Sequence, residues 1–288
     1  MTVRLDYRPD GSYSRMGMGV IAVDDLISPD AKKMAAMADA VVVAVGFDPS
    51  SESEGYDRTF QLPWGQQALI EAVAAANPRT VVTVTSGGAY ATDGWLPKVP
   101  ALLQNWYPGQ EGGRAIAEVL FGACSPEGHL PISFDREWQN NPTYPFYDAP
   151  PHAPGSHPTV KYGEGVFLGY RWYTTSPYKP QPLFAFGYGL SYTTFRFSKL
   201  QVTPVQATPD GTVSVSFEVT NSGMREGAEV AQVYVGDPSA TVARPARELK
   251  AFRKIRLAPG QTTHVTLQLD RRAFAWYDVK RHAWQVDP

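Results

Sequence analysis

Two short runs constrain this chain most: Val41–Val45 (VVVAV) and Thr80–Thr85 (TVVTVT). Neither alternates with polar residues, so each suits a strand buried on both faces, the mark of a parallel sheet covered by helices. Helical signals flank them. Ser28 followed by Pro29 opens a predicted helix at Pro29–Ala40. Trp64–Ala76 sets Leu69, Ile70, Val73 and Ala76 at helical spacing before Asn77-Pro78, and Glu111–Phe121 (EGGRAIAEVLF) is a third helix. With a further apolar run at Ala101–Trp106, units of this size predict a mainly parallel, helix-covered sheet with both β-branched runs in its interior.

The texture then changes twice. Between Ala123 and about Tyr188, Pro, Gly and aromatic residues crowd together with little periodicity. Trp138, Tyr144, Phe146, Phe167, Tyr170, Trp172 and Tyr173 make this stretch too apolar for a free linker, and it is expected to pack over the first domain. After Leu190 the pattern is all-β, with alternating runs at Thr193–Val202, Thr212–Thr220, Glu229–Val235, Leu249–Leu257 and Thr262–Leu269. Asn221-Ser222-Gly223, Gly236-Asp237-Pro238 and Pro259-Gly260 punctuate them, which predicts an antiparallel sandwich. The expected domains are residues 1–135 (α/β), 136–190 (aromatic and Pro-rich connector) and 191–288 (β-sandwich).

Composition narrows the partners. The 288 residues carry 26 basic and 28 acidic side chains without a block of like charge, so no footprint for nucleic acid or an anionic membrane is visible. No apolar run approaches the ~20 residues of a membrane span, and the N-terminal residues lack a signal-peptide core. The compartment stays open between periplasmic, secreted and cytoplasmic. Cys124 is the single cysteine, expected to be a small buried or half-buried residue, and it rules out an intrachain disulfide. The five histidines, at 129, 152, 157, 264 and 282, lack metal-ligand spacing, so no metal site is expected.

The chemistry points to the loop just past the first Val run, FDPSSESEGYDRTFQLP, which carries Glu52, Glu54 and Asp57. Carboxylates delivered past the C-terminal end of a strand stand where open α/β sheets hold ligands. A glycosidase general acid needs a carboxyl that stays protonated near neutrality and reaches the glycosidic oxygen, and Glu54, followed by Gly55 and Tyr56, fits best. From spacing alone, the plainer reading is that Glu52 and Glu54 decorate a solvated loop. Asp57-Arg58 is an adjacent acid–base pair suited to anchoring that loop. In YPGQEGG, Glu111 reads as the ordinary acidic partner of a helix N-terminus, and neither a P-loop nor a G-x-S-x-G nucleophile elbow is present.

Longer strings carry a resemblance. SEGYDR (Ser53–Arg58) with Leu62-Pro63, VPALLQNWYPGQEGGRAIAEVLFG (Val99–Gly122), SPEGHLPISF (Ser125–Phe134), YGEGVFLGYRWY (Tyr162–Tyr173) and PLFAFGYGLSYTTF (Pro182–Phe195) occur in order. EVAQVYVGDP (Glu229–Pro238), RELKAFRKIRLAPGQT (Arg247–Thr262) and FAWYDV (Phe274–Val279) continue the series. Together they resemble the C-terminal half of family 3 glycoside hydrolases, the β-glucosidase and β-xylosidase group. The resemblance implies an α/β sandwich followed by a fibronectin type III-like β-sandwich, a retaining mechanism without cofactor, and a β-linked carbohydrate as substrate. It places the acid/base on Glu54, with Glu52 in reserve, Tyr56 against the substrate, and Asp57 and Arg58 supporting the loop. It also implies a partner these residues lack, a TIM-like barrel carrying the nucleophilic aspartate. An opening strand and helix would be expected before Met1, and a glycine-led final strand after Trp284-Gln285-Val286, so both ends read as truncated and the chain as inactive alone.

A different class of reading stays open: a non-catalytic carbohydrate-binding or structural module. In it Tyr56, Trp95, Trp106 and Trp172 offer either sugar-stacking surface or core. A flavodoxin-like nucleotide binder is disfavoured, since no glycine-rich phosphate loop follows either strand.

Overall fold

The computed structural model describes residues 25–54, 58–147, 161–175, 181–204 and 211–287. The chain divides into two compact units whose segments interleave in sequence. The first comprises Met1–Gly46, Pro63–Val84 and Asp93–Leu103, and the second Phe47–Leu62, Thr85–Thr92 and Gln104–Pro288.

In the first unit α1 (Pro29–Met37) starts where the sequence sets it, with the Ser28 hydroxyl accepting from the Ala31 amide at 3.2 Å. It ends three residues short of the expected Ala40, and Asn77 explains why. The buried Asn77 amide donates to the Ala35 and Ala38 carbonyls at 2.9 and 2.8 Å, taking up carbonyls that the helix end leaves open. β1 (Val41–Gly46), α2 (Gln66–Ala76) and β2 (Thr80–Thr85) form a strand–helix–strand unit, and β3 (Ala101–Gln104) completes a parallel sheet ordered β1-β2-β3. The register is constant from end to end: the Val41 amide meets the Arg79 carbonyl at 3.0 Å and the Phe47 amide meets that of Thr85 at 2.8 Å.

β2 is interior, as its TVVTVT run predicts, with Val82 and Val84 fully buried. β1 is not. Among the described residues it lies at the edge of the sheet, and Val42 is exposed while Val43 is buried. Period alone cannot tell a strand flanked on both sides from one whose second neighbour is absent from the described sheet. Gln66 secures the end of β1 instead, its side-chain amide accepting from the Gly46 amide at 2.9 Å and donating to the Gly46 carbonyl at 2.7 Å.

The second unit holds the β-sandwich. β4 (Phe195–Thr203), β5 (Val213–Asn221) and β8 (Thr262–Leu269) form one antiparallel sheet, β6 (Gly227–Val235) and β7 (Glu248–Leu257) the other. β5 alternates strictly, so Val213, Val215, Phe217 and Val219 all enter the core against Ala231, Ile255, Leu257, Val265 and Leu269. Each such side chain contributes about 1.5–3 kcal/mol on burial. Asn221 ends β5 fully buried, accepting from the Thr193 hydroxyl (2.6 Å) and the Gly223 amide (3.1 Å). It donates to the Arg225 and Leu257 carbonyls at 2.7 and 2.9 Å. A short helix, α5 (Arg271–Phe274), and the hairpin β9 (Trp276–Asp278) with β10 (Ala283–Gln285) close the chain.

α3 (Gly112–Leu120), the connector and α4 (Tyr170–Thr175) also belong to the second unit. The stretch before the connector pairs with the connector's end, the Leu130 amide with the Tyr188 carbonyl and the Phe134 amide with the Phe184 carbonyl, both at 2.8 Å. Phe134 anchors them, edge-on to Tyr90 at 5.8 Å and to Trp106 at 6.1 Å. Both the stretch before the connector and the connector itself reach the β6–β7 sheet. His129 meets Glu229 at 3.1 Å, Arg256 reaches Glu127 at 2.6 Å, and the Tyr170 hydroxyl accepts from the Leu249 amide at 2.8 Å. Cys124 corrects another expectation: it is exposed, because it lies in the turn just past α3. His152 and His157 lie outside the described residues.

Candidate active site

The loop that leaves β1 begins with a tight turn. Asp48 Oδ1 accepts from the amides of Ser50 and Ser51, both at 3.0 Å, and from their hydroxyls at 2.6 and 2.9 Å. Those hydroxyl bonds, Ser50 first, hold the Asp48 carboxyl below its ordinary range. The turn sets the direction in which the chain departs from the strand.

Glu52 is the junction of the site. Its Oε1 lies 2.9 Å from Arg58 Nε, while Oε2 accepts from the Gly87 amide at 3.2 Å and from the Tyr107 hydroxyl. One carboxylate thus ties together the loops that follow β1, β2 and β3. Arg58 extends the brace, donating to the Ala89 carbonyl at 2.6 Å with its guanidinium 4.3 Å from the centre of the Phe47 ring. Both side chains are mostly screened from solvent, at 21% exposed for Glu52 and 17% for Arg58. Partial burial and the bond to Glu52 raise the Tyr107 phenol above its ordinary value, so it stays the donor.

The glycines after β2 permit this approach. A Cβ on Gly87 would stand 3.0 Å from Tyr107 Cε2 and 3.1 Å from Glu52 Oε1, and one on Gly88 would stand 3.1 Å from Arg58 Nη2. Gln104, at the end of β3, fixes the turn from below: its Nε2 donates to the Ser86 carbonyl at 3.1 Å and its Oε1 accepts from the buried Tyr90 hydroxyl at 3.0 Å.

Glu54, two residues beyond the junction, is exposed, and no hydrogen bond or ion pair reaches it among the described residues. The structure therefore gives the two glutamates different situations. Glu52 is committed to three donors, whereas Glu54 is exposed and has no partner among the described residues. Tyr56 and Asp57 lie outside the described residues. Among the described residues Arg58 pairs with Glu52. Asp48, Gly87 and Tyr107 were missed by motif reading. The Asp-Pro-Ser-Ser turn signal could have found Asp48, but nothing local marks Tyr107 as a partner of a residue 55 positions away.

Among the other candidates, Glu111 occupies the N-cap of α3 without a side-chain capping bond. Trp95 is fully buried and Trp106 packs on Phe134, so both serve the core. Among the described residues no cluster of His, Cys, Asp and Glu could hold a metal, and no helix is long and apolar enough to cross a membrane.

Residues 21–192 match the family model of the glycosyl hydrolase family 3 C-terminal domain, and residues 229–288 match that of a fibronectin type III-like domain. The thermostable beta-glucosidase B of Acetivibrio thermocellus is 40% identical over 266 residues, covering 92% of this chain and 34% of that protein. An exo-alpha-(1->6)-L-arabinopyranosidase of Bifidobacterium breve is 39% identical over 265 residues, covering 92% and 34%. Among solved structures, a GH3 beta-glucosidase of Bifidobacterium adolescentis superposes with a TM-score of 0.82 at 39% identity, over 90% of this chain and 37% of that one. The beta-glucosidase of Kluyveromyces marxianus in complex with glucose also gives 0.82, at 35% identity over 94% and 31%. The chain spans about a third of the length of the curated relatives it matches.

Proposed function

Because this chain belongs to glycoside hydrolase family 3 and forms a C-terminal portion of such an enzyme, we propose that it supplies the acid/base carboxyl of a retaining glycosidase acting on terminal β-linked sugars. Glu54 has that role. The observation that carries the reading is the contrast on one loop: Glu52 braced by Arg58, Gly87 and Tyr107, and Glu54 exposed and without a partner among the described residues just past the brace. A proton donor must be held near the scissile bond yet keep its own oxygens unclaimed. Only the second glutamate meets both needs.

In a retaining mechanism two carboxyl groups stand about 5–5.5 Å apart, one as nucleophile and one as acid/base. Glu54 protonates the leaving oxygen in the first step and removes a proton from the attacking water in the second. The nucleophile comes from a barrel outside these residues, as the family resemblance implies, and Tyr56 contacts the sugar. Relatives named for two different sugars match this region almost equally, at 40% and 39% identity.

The test is Glu54→Gln in an enzyme that includes the barrel. Turnover should fall most for substrates with poor leaving groups, and azide should partly restore hydrolysis of activated aryl glycosides by replacing water as nucleophile. Equal losses across leaving groups, with no response to azide, would overturn the assignment. Saccharide binding without any turnover would favour the non-catalytic binding module.

A further inference from the structure

The turn after β3 carries a feature that local rules disfavour. Trp106 has a φ of 54°, the left-handed region that a bulky side chain rarely adopts, and the next ring, Tyr107, stands 57% exposed. Backbone strain of this kind persists only where the surroundings hold it in place, and it gathers at functional sites. Three anchors hold it here. Gln104 donates to the Ser86 carbonyl at 3.1 Å, Trp106 packs edge-on to the buried Phe134 at 6.1 Å, and the Tyr107 hydroxyl donates to Glu52. One ring of the pair enters the core, and the other reaches the rim of the site.

What the strained turn secures is a hydrogen bond to a carboxylate two residues from Glu54. Two residues of chain reach at most about 7 Å, so fixing Glu52 confines Glu54 to a small region. The other two donors to Glu52 come from elsewhere: Arg58 lies farther along the same loop, and the Gly87 amide belongs to the loop after β2. Among the described residues, Tyr107 is the one that ties Glu52 to the loop after β3. A proton donor works only when held within reach of the leaving oxygen, and a displacement of about 1 Å can cost on the order of 10²-fold in rate. Because its hydroxyl is committed to Glu52, Tyr107 acts on the chemistry through that residue.

Resting on the acid/base role of Glu54, we propose that Tyr107 is a positioning residue: its hydroxyl, bound to Glu52, sets the loop where Glu54 can protonate the leaving oxygen. Tyr107→Phe tests this in an enzyme that includes the barrel, with kcat/KM measured on an alkyl and a dinitrophenyl β-glucoside. A loss of about tenfold or more on the alkyl glucoside and less than about threefold on the dinitrophenyl glucoside is expected, because only the poor leaving group needs the proton as its bond breaks. A merely structural role would lower both alike, through the fraction of enzyme that is folded. Tyr192→Phe is the control: it removes another exposed phenol's bond, to the Val119 carbonyl at 2.9 Å, and should leave both values unchanged. Tyr107→Phe combined with Glu52→Gln should lose little more than the worse single variant, since both loosen the same tie. The proposal is overturned if Tyr107→Phe spares both substrates, slows both equally, or multiplies fully with Glu52→Gln. If Glu54→Gln discriminates between leaving groups and Tyr107→Phe does not, the positioning role falls and the acid/base assignment stands. If neither discriminates, both fall.

Discussion

Replacing each loop glutamate by glutamine should separate their roles by stability alone, before any turnover is measured. Glu52 accepts from Arg58, Gly87 and Tyr107. A glutamine at that position has one acceptor oxygen and an NH2 group that can only donate. The least costly arrangement turns the oxygen to Arg58 and the NH2 to Tyr107, whose hydroxyl can accept, leaving the Gly87 amide facing a donor. An unsatisfied amide costs about 1–3 kcal/mol, and replacing a charge-assisted bond to Arg58 by a neutral one costs about 1 kcal/mol. With Glu52 at 21% exposure, solvent relieves part of this, and Glu52→Gln should cost about 2–3 kcal/mol. Glu54→Gln should stay within about 0.5 kcal/mol, as expected for an exposed side chain without a partner among the described residues. Urea unfolding followed by tryptophan fluorescence reads the difference. Hydrogen exchange at the Gly87 amide gives a local measure, faster in Glu52→Gln and unchanged in Glu54→Gln. Equal costs for the two substitutions, or a Gly87 amide indifferent to Glu52→Gln, would refute the brace.

Three further outcomes follow from the same structure. His129 and Glu229 form a half-buried pair in which the hydrogen bond to Glu229 raises the histidine above its usual 6.5. Burial opposes ionisation of Glu229, but the bonds from His129 and the Val230 amide keep its carboxyl below 4.5. The histidine contribution is therefore full below pH 6.5 and lost as pH rises through its higher folded value, while the glutamate contribution is lost as pH falls below 4.5. Stability by urea unfolding should peak between those limits, and His129→Gln should flatten the alkaline side. Asn221→Ala removes four hydrogen bonds from a fully buried position and should cost about 3–4 kcal/mol in the same assay. Gly87→Ala places a methyl 3.0 Å from the Tyr107 ring and 3.1 Å from Glu52, and should cost about 1–3 kcal/mol in melting experiments while lowering turnover of a barrel-containing enzyme.

Much of this protein was legible along the chain. The β-branched runs, the Ser28-Pro29 start and the strict alternation of Val213–Asn221 are local patterns, and they specify helices and strands because side-chain period and capping chemistry act over a few residues. The strings running from Ser53 to Val279 likewise carried the family, since they reflect residue identity and order. What the sequence could not determine was which of two equivalent-looking glutamates is bound and which is free. That depends on Gly87 and Tyr107, 35 and 55 positions from Glu52, arriving through loops that leave neighbouring strands. The edge position of Val41–Gly46 in the described sheet was hidden for the same reason, because a strand's period does not record how many neighbours it has. Local period and composition fix the elements; contacts between residues distant in sequence decide which polar groups are satisfied, and the groups left unsatisfied are where a ligand can act.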